Sequence, residues 1–386
     1  MPRAKKTGKV IVRGKKRERA PDPVPEPVPE PVLEPVPEPV PEPAGPAPAP
    51  LRMAELFTGT GAFSLAFEGT ARFQTVFAND FDENSQKIYD LNFDTPLTLK
   101  DLTDLNVKDI PKMDLLTGGF PCQPFSISGR REGFNDPRAN VFWKIIEVIK
   151  EHKPRFVVLE NVKNLTTHDN GNTFRTIEEA LTGDPHPGDG VGYHIRHKVL
   201  NTYKVTDVPQ NRERIFIVCF RDRADADRFQ FPADINDHIE IKDLVDTEVA
   251  DKYYYKETLK IWPTVSRDVV KDITTNTIYQ YRRHYVRENK HNVCPTLTAN
   301  MGEGGHNVPL LRDTKGIRKL TPRECFKLQG FPPTYQFPKI SDSKLYKLAG
   351  NAVTVKVVAR IAEELVKVLL SHDVPGRPPM VDRLVP

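Results

Sequence analysis

Along the chain, short apolar runs alternate with longer amphipathic stretches. Five runs have strand character: Ala54–Phe57, Thr75–Asn79, Leu115–Thr117, Phe156–Leu159 and Arg214–Phe220. Between them, Asn84–Asn92 and Val141–Glu151 place apolar residues at the spacing of a helix that covers a sheet. Strands separated by helices predict a doubly wound α/β domain from Met53 to about Phe231, with ligands bound outside the carboxyl ends of its strands. After Phe229-Gln230-Phe231-Pro232 the pattern becomes irregular. Aromatics and bases interleave there, in Tyr253, Tyr254, Tyr255, Tyr279, Tyr281, Arg282, Arg283, Tyr285 and Arg287. Such a mixture suits phosphate and base-edge contacts, and it also occurs on ordinary sheet surfaces.

Composition separates a tail from this body. Of 36 prolines in 386 residues, fourteen lie between Pro21 and Pro50, in a Pro-Glu-Pro-Val repeat. That repeat favours extended polyproline II and has too few large apolar side chains to offset chain entropy, so a semi-rigid spacer is expected. Residues 1–20 carry nine Lys/Arg against one Glu, and residues 21–50 carry six acids and no base, so the overall charge of +4 leaves +2 for residues 51–386. The basic arm, Lys5 to Arg19, could hold nucleic acid by counterion release, serve as a nuclear address, or be a solvated tail without a specific partner. No run approaches the ~18 apolar residues of a membrane span, and the N-terminus has no apolar signal region. A soluble intracellular protein, cytoplasmic or nucleoid-associated if prokaryotic, is expected. Cys122, Cys219, Cys294 and Cys325 lie far apart without CxxC pairing, which argues against a zinc ribbon and against a secreted disulfide scaffold. No metal is expected.

Candidate chemistry sits at the strand ends. Phe57-Thr58-Gly59-Thr60-Gly61 follows a strand and precedes a helical stretch, and its glycines let backbone approach a ligand closely. Asp80 ends the next strand about twenty residues on, where an acid commonly accepts ribose hydroxyls. The missing third glycine disfavours a pyrophosphate and leaves a nucleoside cofactor as the better fit. A second site is Gly118-Gly119-Phe120-Pro121-Cys122-Gln123-Pro124-Phe125-Ser126. A cysteine in a Gly/Pro-rich turn after a strand is exposed and held as a nucleophile must be, whereas Cys219, inside an apolar run, reads as core. Glu160-Asn161-Val162 follows at the next strand end. Alone, Glu160 is an ordinary capping or surface acid; beside Cys122 it would share a cleft with a thiolate.

In order, Phe57–Gly61, Pro121-Cys122-Gln123, Glu160-Asn161-Val162, Gln210-Asn211-Arg212-Glu213-Arg214, Arg318–Pro332 and Gly350-Asn351 resemble the ordered motifs of DNA (cytosine-5) methyltransferases. The resemblance runs from Ala54 to about Ala362 and is nearest to the compact bacterial enzymes of restriction-modification systems. It implies a Rossmann-like S-adenosylmethionine-dependent methyltransferase domain at 51–231, a smaller target-recognition domain at 232–344 with the DNA cleft between them, and a returning C-terminal helix at 345–386. The implied reaction is methyl transfer from S-adenosyl-L-methionine to carbon 5 of cytosine in a short duplex sequence, with base flipping and a covalent bond from Cys122 to carbon 6. Glu160 would be protonated against N3, and Arg212 and Arg214 would hold the base and the carboxylate. On the cofactor side the resemblance assigns Phe57 to the adenine face, Asp80 to the ribose, and Asp101 with Leu102 to the adenine amino group. Gly59 and Gly61 make room for the methionine part, and Asn351 closes the site. Phe81 stands where relatives often have Trp, and Ala62 where many have Gly.

The segment Ser126–Arg138 resembles a lid that closes on DNA, with Gln123, Ser126, Ser128 and Arg138 as DNA contacts. Thr296-Leu297 resembles the recurring dipeptide of the recognition region, and Cys325 reads as structural. The implied partners are double-stranded DNA and a cognate restriction endonuclease, with a monomeric enzyme. A tRNA cytosine-5 methyltransferase and a non-catalytic DNA-binding relative are the alternatives.

Overall fold

Strands that alternate between two apolar cores organise the molecule. The structure is a computed structural model and describes residues 49–121, 140–183, 190–303 and 307–371, all in one unit that begins at Ala49. Cys122, Gln123, Ser126, Ser128, Arg138 and the tail through Pro48 lie outside the described residues. In chain order the first strands are β1 (Leu51–Leu56), β2 (Phe73–Asp80), β3 (Leu97–Leu99), β4 (Leu115–Gly119), β5 (Phe156–Val162), β6 (His194–Asn201), β7 (Gln210–Asn211) and β8 (Glu213–Phe220). Seven of them form one sheet in the order β3-β2-β1-β4-β5-β8-β6. β1 to β5 run parallel, while β8 is antiparallel to both β5 and β6.

The period-two alternation is visible in burial. Met53, Leu115, Phe156, Val158, Phe216 and Val218 enter one core, and Ala54, Leu116, Val157, Leu159, Ile215 and Ile217 enter the other. Sheets buried on both faces in this way need helices on both sides. One face is covered by α1 (Ala62–Glu68) and by the C-terminal helix Val355–Leu370, whose Val358, Ile361 and Leu365 share a core with Phe63 and Phe67. After α2 (Glu83–Tyr89), the other face is covered by α3 (Asn140–His152) and α4 (Asn172–Thr182), through Phe142, Ile145, Ile149 and Ile177. Cys219 is fully buried in that second core, as its apolar surroundings imply, and Cys325 is fully buried in the first.

The irregular region builds β9 (Tyr279–Arg282), β10 (Tyr285–Glu288), β11 (Cys294–Pro295), β12 (Leu310–Arg312) and β13 (Ile317–Lys319). Four of these form an antiparallel sheet, β10-β9-β12-β13, over a small core of Val265, Val269, Tyr279, Val286 and Leu310. Fully buried Arg318 anchors it, with both terminal nitrogens on the Glu324 carboxylate at 2.9 and 2.8 Å and Nε on Asp313 at 2.8 Å. Glu324 in turn closes a capping box with Thr321 at the start of the helix Pro322–Lys327. A two-residue parallel ladder, β7 with β11, ties Gln210 and Asn211 to Cys294 and Pro295. Past this sheet the chain forms two helices, Asp342–Asn351 and Val355–Leu370.

Candidate active site

Register brings the site together. Leu56 of β1 pairs with Asn79 of β2 and Gly118 of β4, and Gly119 pairs with Glu160 of β5, so four carboxyl ends open on one side of the sheet. They frame a cleft of about 360 Å³. Of the residues singled out from the sequence, Phe57, Gly59, Asp80, Phe81, Glu160, Arg212, Arg214 and Asn351 line it. Pro121 lines it too, and Cys122 follows directly in sequence.

The first wall is the Phe57–Gly61 turn, of which Phe57 to Thr60 line the cleft and Gly61 does not. Gly59 and Gly61 have φ of +55° and +67°, and a Cβ on Gly61 would come within 2.4 Å of the Phe93 ring, so only glycine fits there. Phe57 also has a positive φ, 53°, an uncommon state for a bulky residue that costs about 1 kcal/mol or more and marks a site held by its surroundings. Asp80 holds the turn, its carboxylate accepting from Gly59 N at 2.7 Å and from Asp82 N at 2.9 Å. Burial of that carboxyl raises its pKa against those two bonds. From the far end of the chain, the Tyr335 hydroxyl donates to the Thr60 carbonyl at 2.7 Å. Phe81 leaves its ring 70% exposed beside this wall.

The opposite wall carries charge. Glu160 faces Phe216 in register, which places Arg214 as its diagonal cross-strand neighbour on the same face. Arg214 Nε lies 3.0 Å from Glu160 Oε1. Burial raises the Glu160 pKa, while the positive charges of Arg214 and Arg212 pull it back down. Arg212 is otherwise occupied. It is 2% exposed, and its guanidinium donates to the carbonyls of Leu297 at 2.7 Å, Gly350 at 3.2 Å and Ala352 at 2.8 Å. Its Nε is buried without a partner among the described residues, and burial together with Arg214 pushes its pKa down to about 9.

Other singled-out residues are placed elsewhere. Asp101 and Leu102 do not line the cleft: the Asp101 carboxylate caps a short turn through Thr103 N at 2.9 Å and Thr103 Oγ1 at 2.7 Å, and Leu102 is buried in the core. The Thr296 hydroxyl donates to the Asn211 carbonyl at 2.6 Å, and buried Leu297 donates its N–H to Gln210 Oε1 at 3.1 Å while holding Arg212 through its carbonyl. Among the described residues, no group of three or more His, Cys, Asp and Glu could hold a metal ion, and no helix is long and apolar enough to cross a membrane.

The model of the C-5 cytosine-specific DNA methylases matches residues 51–367. The chain belongs to that family. As a C-5 cytosine-specific DNA methylase it is 46% identical over 324 residues to the Type II methyltransferase M.Bsp6I of Bacillus sp. (strain RFL6), covering 83% of this chain and 100% of that one. It is 35% identical over 327 residues to M.HhaI of Haemophilus parahaemolyticus, covering 81% and 93%. In three dimensions it resembles Spodoptera frugiperda DNMT2, with a TM-score of 0.63 at 20% identity over 82% of this chain and 99% of that one, a likeness of fold.

The methylase cleft also contains residues that motif reading passed over. Glu55 is 1% exposed in the middle of an apolar strand, accepts from Ser64 N at 2.9 Å and from the Ser64 hydroxyl, and burial pushes its pKa up to about 8. An acid between Ala54 and Leu56 was the available signal. Thr60 lines the cleft with a buried hydroxyl that has no partner among the described residues. Lys347 lines it from the Asp342–Asn351 helix, 3.7 Å from Asp82; nothing in its local sequence separates it from a surface lysine.

Proposed function

We propose that this DNA methylase takes its methyl group from S-adenosyl-L-methionine and acts on cytosine within a short specific duplex sequence, by base flipping and a covalent Cys122 intermediate. The observation that carries the reading is one cleft with two kinds of wall: an aromatic, glycine-turned, acid-bearing wall at β1 and β2, and a buried carboxyl paired with an arginine at β5 and β8. The first wall suits the donor. Phe57 and the exposed Phe81 ring offer apolar faces for adenine, and Asp80 retains acceptor lone pairs for ribose hydroxyls beyond its two backbone bonds. The unpartnered Thr60 hydroxyl and the open backbone at Gly59 suit the polar methionine end, and Asn351 closes the cleft. When bound, the donor supplies an electrophilic methyl group on its sulfonium.

The second wall suits the base. Carbon 5 of cytosine is a poor nucleophile until a thiolate adds at carbon 6, and Cys122, next to Pro121 of the cleft, is the residue for that addition. Electron density then moves toward N3. Glu160, with its raised pKa, holds a proton to donate there, and Arg214 keeps the carboxyl oriented and offers donors to O2. With the donor held at the first wall, the activated carbon 5 would take its methyl group as the methyl–sulfur bond breaks and the donor leaves as a neutral thioether; the carbon 5 proton would then pass to solvent and the Cys122 thiolate would depart to restore the aromatic ring. A stacked base cannot meet these groups, so the cytosine leaves the helix. Arg212, held by three carbonyls, acts as a clamp behind Arg214.

In this reading residues 51–231 are catalytic, 232–344 recognise the target and 345–386 return to the catalytic part. Gln123, Ser126, Ser128 and Arg138 contact DNA, as does the Thr296-Leu297 segment. Asp101, with Leu102 beside it, is the proposed acceptor for the adenine amino group. The enzyme works as a monomer, and the Type II names of M.Bsp6I and M.HhaI fit a restriction-modification setting with a cognate endonuclease.

The test is transfer from labelled S-adenosyl-L-methionine to duplex DNA and to tRNA in parallel. Label on duplex DNA at cytosine carbon 5 is expected; label on tRNA alone would reverse the substrate. Wild type should form a stable adduct with 5-fluorocytosine duplexes, because fluorine cannot leave as a proton, and Cys122→Ser should not. An active enzyme that forms no adduct would overturn the thiolate mechanism.

A further inference from the structure

The β9–β10 hairpin stands apart from the rest of the four-stranded sheet. β9 meets β12 only at Tyr279 with Leu310, so beyond Tyr279 the chain continues as a two-stranded antiparallel ribbon paired from Gln280 with Arg287 to Arg282 with Tyr285. One face of it packs inward, through Tyr279, Tyr281 and Val286. Strand alternation puts Gln280, Arg282, Tyr285 and Arg287 on the other face, where Arg282, Tyr285 and Arg287 are exposed. At the tip Arg283 has φ 46°, a left-handed state unfavourable for arginine, and the Tyr281 hydroxyl donates to its carbonyl at 2.8 Å. The tip is thus held in one shape by a side chain of its own strand.

Charge concentrates on the same element. Residues 279–291 carry Arg282, Arg283, Arg287 and Lys290 against Glu288, a net +3, while all of residues 51–386 amount to +2. The lone acid is neutralised separately, by Lys271 at 2.7 Å. A plain solvated face would mix signs. A two-stranded ribbon also has the width that a B-DNA major groove, about 12 Å across, admits. Gln280 Oε1 accepts from Arg287 Nη2 at 3.3 Å, a bond that uses one guanidinium donor of Arg287 and ties its side chain to the same face of the ribbon.

We propose that the outward face of this ribbon reads base edges in the major groove beside the target cytosine, with Arg287 and Arg282 as donors to the O6 and N7 acceptors of guanine. Gln280 is a positioning residue for the Arg287 fork, and Arg283 at the tip grips phosphate. The proposal rests on the sequence-specific duplex substrate proposed above and extends it to particular residues and a particular base. An arginine fork matches guanine bidentately, whereas lysine keeps the charge and loses the planar pair of donors.

The experiment is methylation of a randomised duplex library by wild type, Arg287→Lys, Arg282→Lys, Gln280→Ala and Arg283→Gln, with the methylated cytosines and their flanks read by sequencing. Each lysine variant is expected to lose roughly 10- to 100-fold of its preference for G·C at one flanking position and to keep its preferences elsewhere. Gln280→Ala should relax the same position as Arg287→Lys, to a smaller degree. Arg283→Gln should weaken binding to all sequences alike and reduce the log–log salt slope by about 1. Wild-type flanking preferences in both lysine variants, or a uniform loss across all flanks, would overturn the proposal. Wild type that methylates every flank equally, or none, would instead overturn the specific-substrate reading beneath it, and the wild-type arm alone reveals that.

Discussion

Glu55 gives the structure a measurable dependence on pH. Its carboxyl is buried under the Phe57–Gly61 turn, accepts two bonds from Ser64, and lies in a network that Thr75 and Tyr89 extend from Ser64 at 3.1 and 3.3 Å. Burial, with a smaller push from Glu68, raises its pKa from 4.5 to about 8. The folded chain therefore keeps a proton that the unfolded chain releases between these two values, and stability falls as pH rises through that window. Fully expressed, above pH 8, the penalty is about 5 kcal/mol, and roughly 3 kcal/mol of it develops between pH 6 and pH 9. Glu55→Gln removes the titration while keeping a carbonyl to accept from Ser64. Urea unfolding of both proteins at a series of pH values should show the variant gaining about 3 kcal/mol on wild type from pH 6 to pH 9. A stability difference that stays constant over that range would refute the assignment of a neutral, buried Glu55.

Three further outcomes are expected. With Glu160 as the proposed proton donor to N3, Glu160→Gln should lower kcat about 100-fold; the raised pKa predicts a wild-type rate that falls once pH rises past it, and the variant should lack that fall. Arg212→Ala removes the Arg212 donors from the carbonyls of Leu297 and Gly350 and one of two donors from that of Ala352. About 4 kcal/mol of stability should be lost in urea unfolding, and Arg212→Lys should recover only part of it, since one ammonium cannot reach all three carbonyls with the spread of a guanidinium. Removal of residues 1–50 should leave kcat and KM for duplex DNA unchanged in a steady-state transfer assay.

The doubly wound body was legible because its strands are short apolar runs whose alternate residues feed opposite cores. Met53 with Phe156 and Ala54 with Val157 show that division in the structure. Direction was not legible: nothing within Arg214–Phe220 distinguishes a parallel from an antiparallel neighbour. β6 was missed because its outward residues, Arg196, His197 and Lys198, are exposed and basic, as suits a sheet edge that must not recruit another strand. At the site, motif spacing located the walls but not the division of labour within them. Arg212 and Arg214 are two residues apart and chemically identical. What separates them is that Arg212 meets carbonyls 85, 138 and 140 residues away, while Arg214 meets Glu160. Glu55 was hidden by its apolar strand, and the capping role of Asp101 is a local bond to Thr103.

The Phe57–Gly61 turn lies near the start of the folded body, yet two of its supports come from near the end. The Tyr335 hydroxyl reaches the Thr60 carbonyl across 275 residues, and the Val355–Leu370 helix covers α1, which the turn leads into. Closing a loop of that length costs about 5 kcal/mol of chain entropy beyond a constant. On the ribosome, the first strands emerge long before the parts that lock their turn. A growing chain therefore cannot complete the cleft early, and a product truncated before Tyr335 lacks these supports. The site can mature only once Tyr335 and the Val355–Leu370 helix have been made.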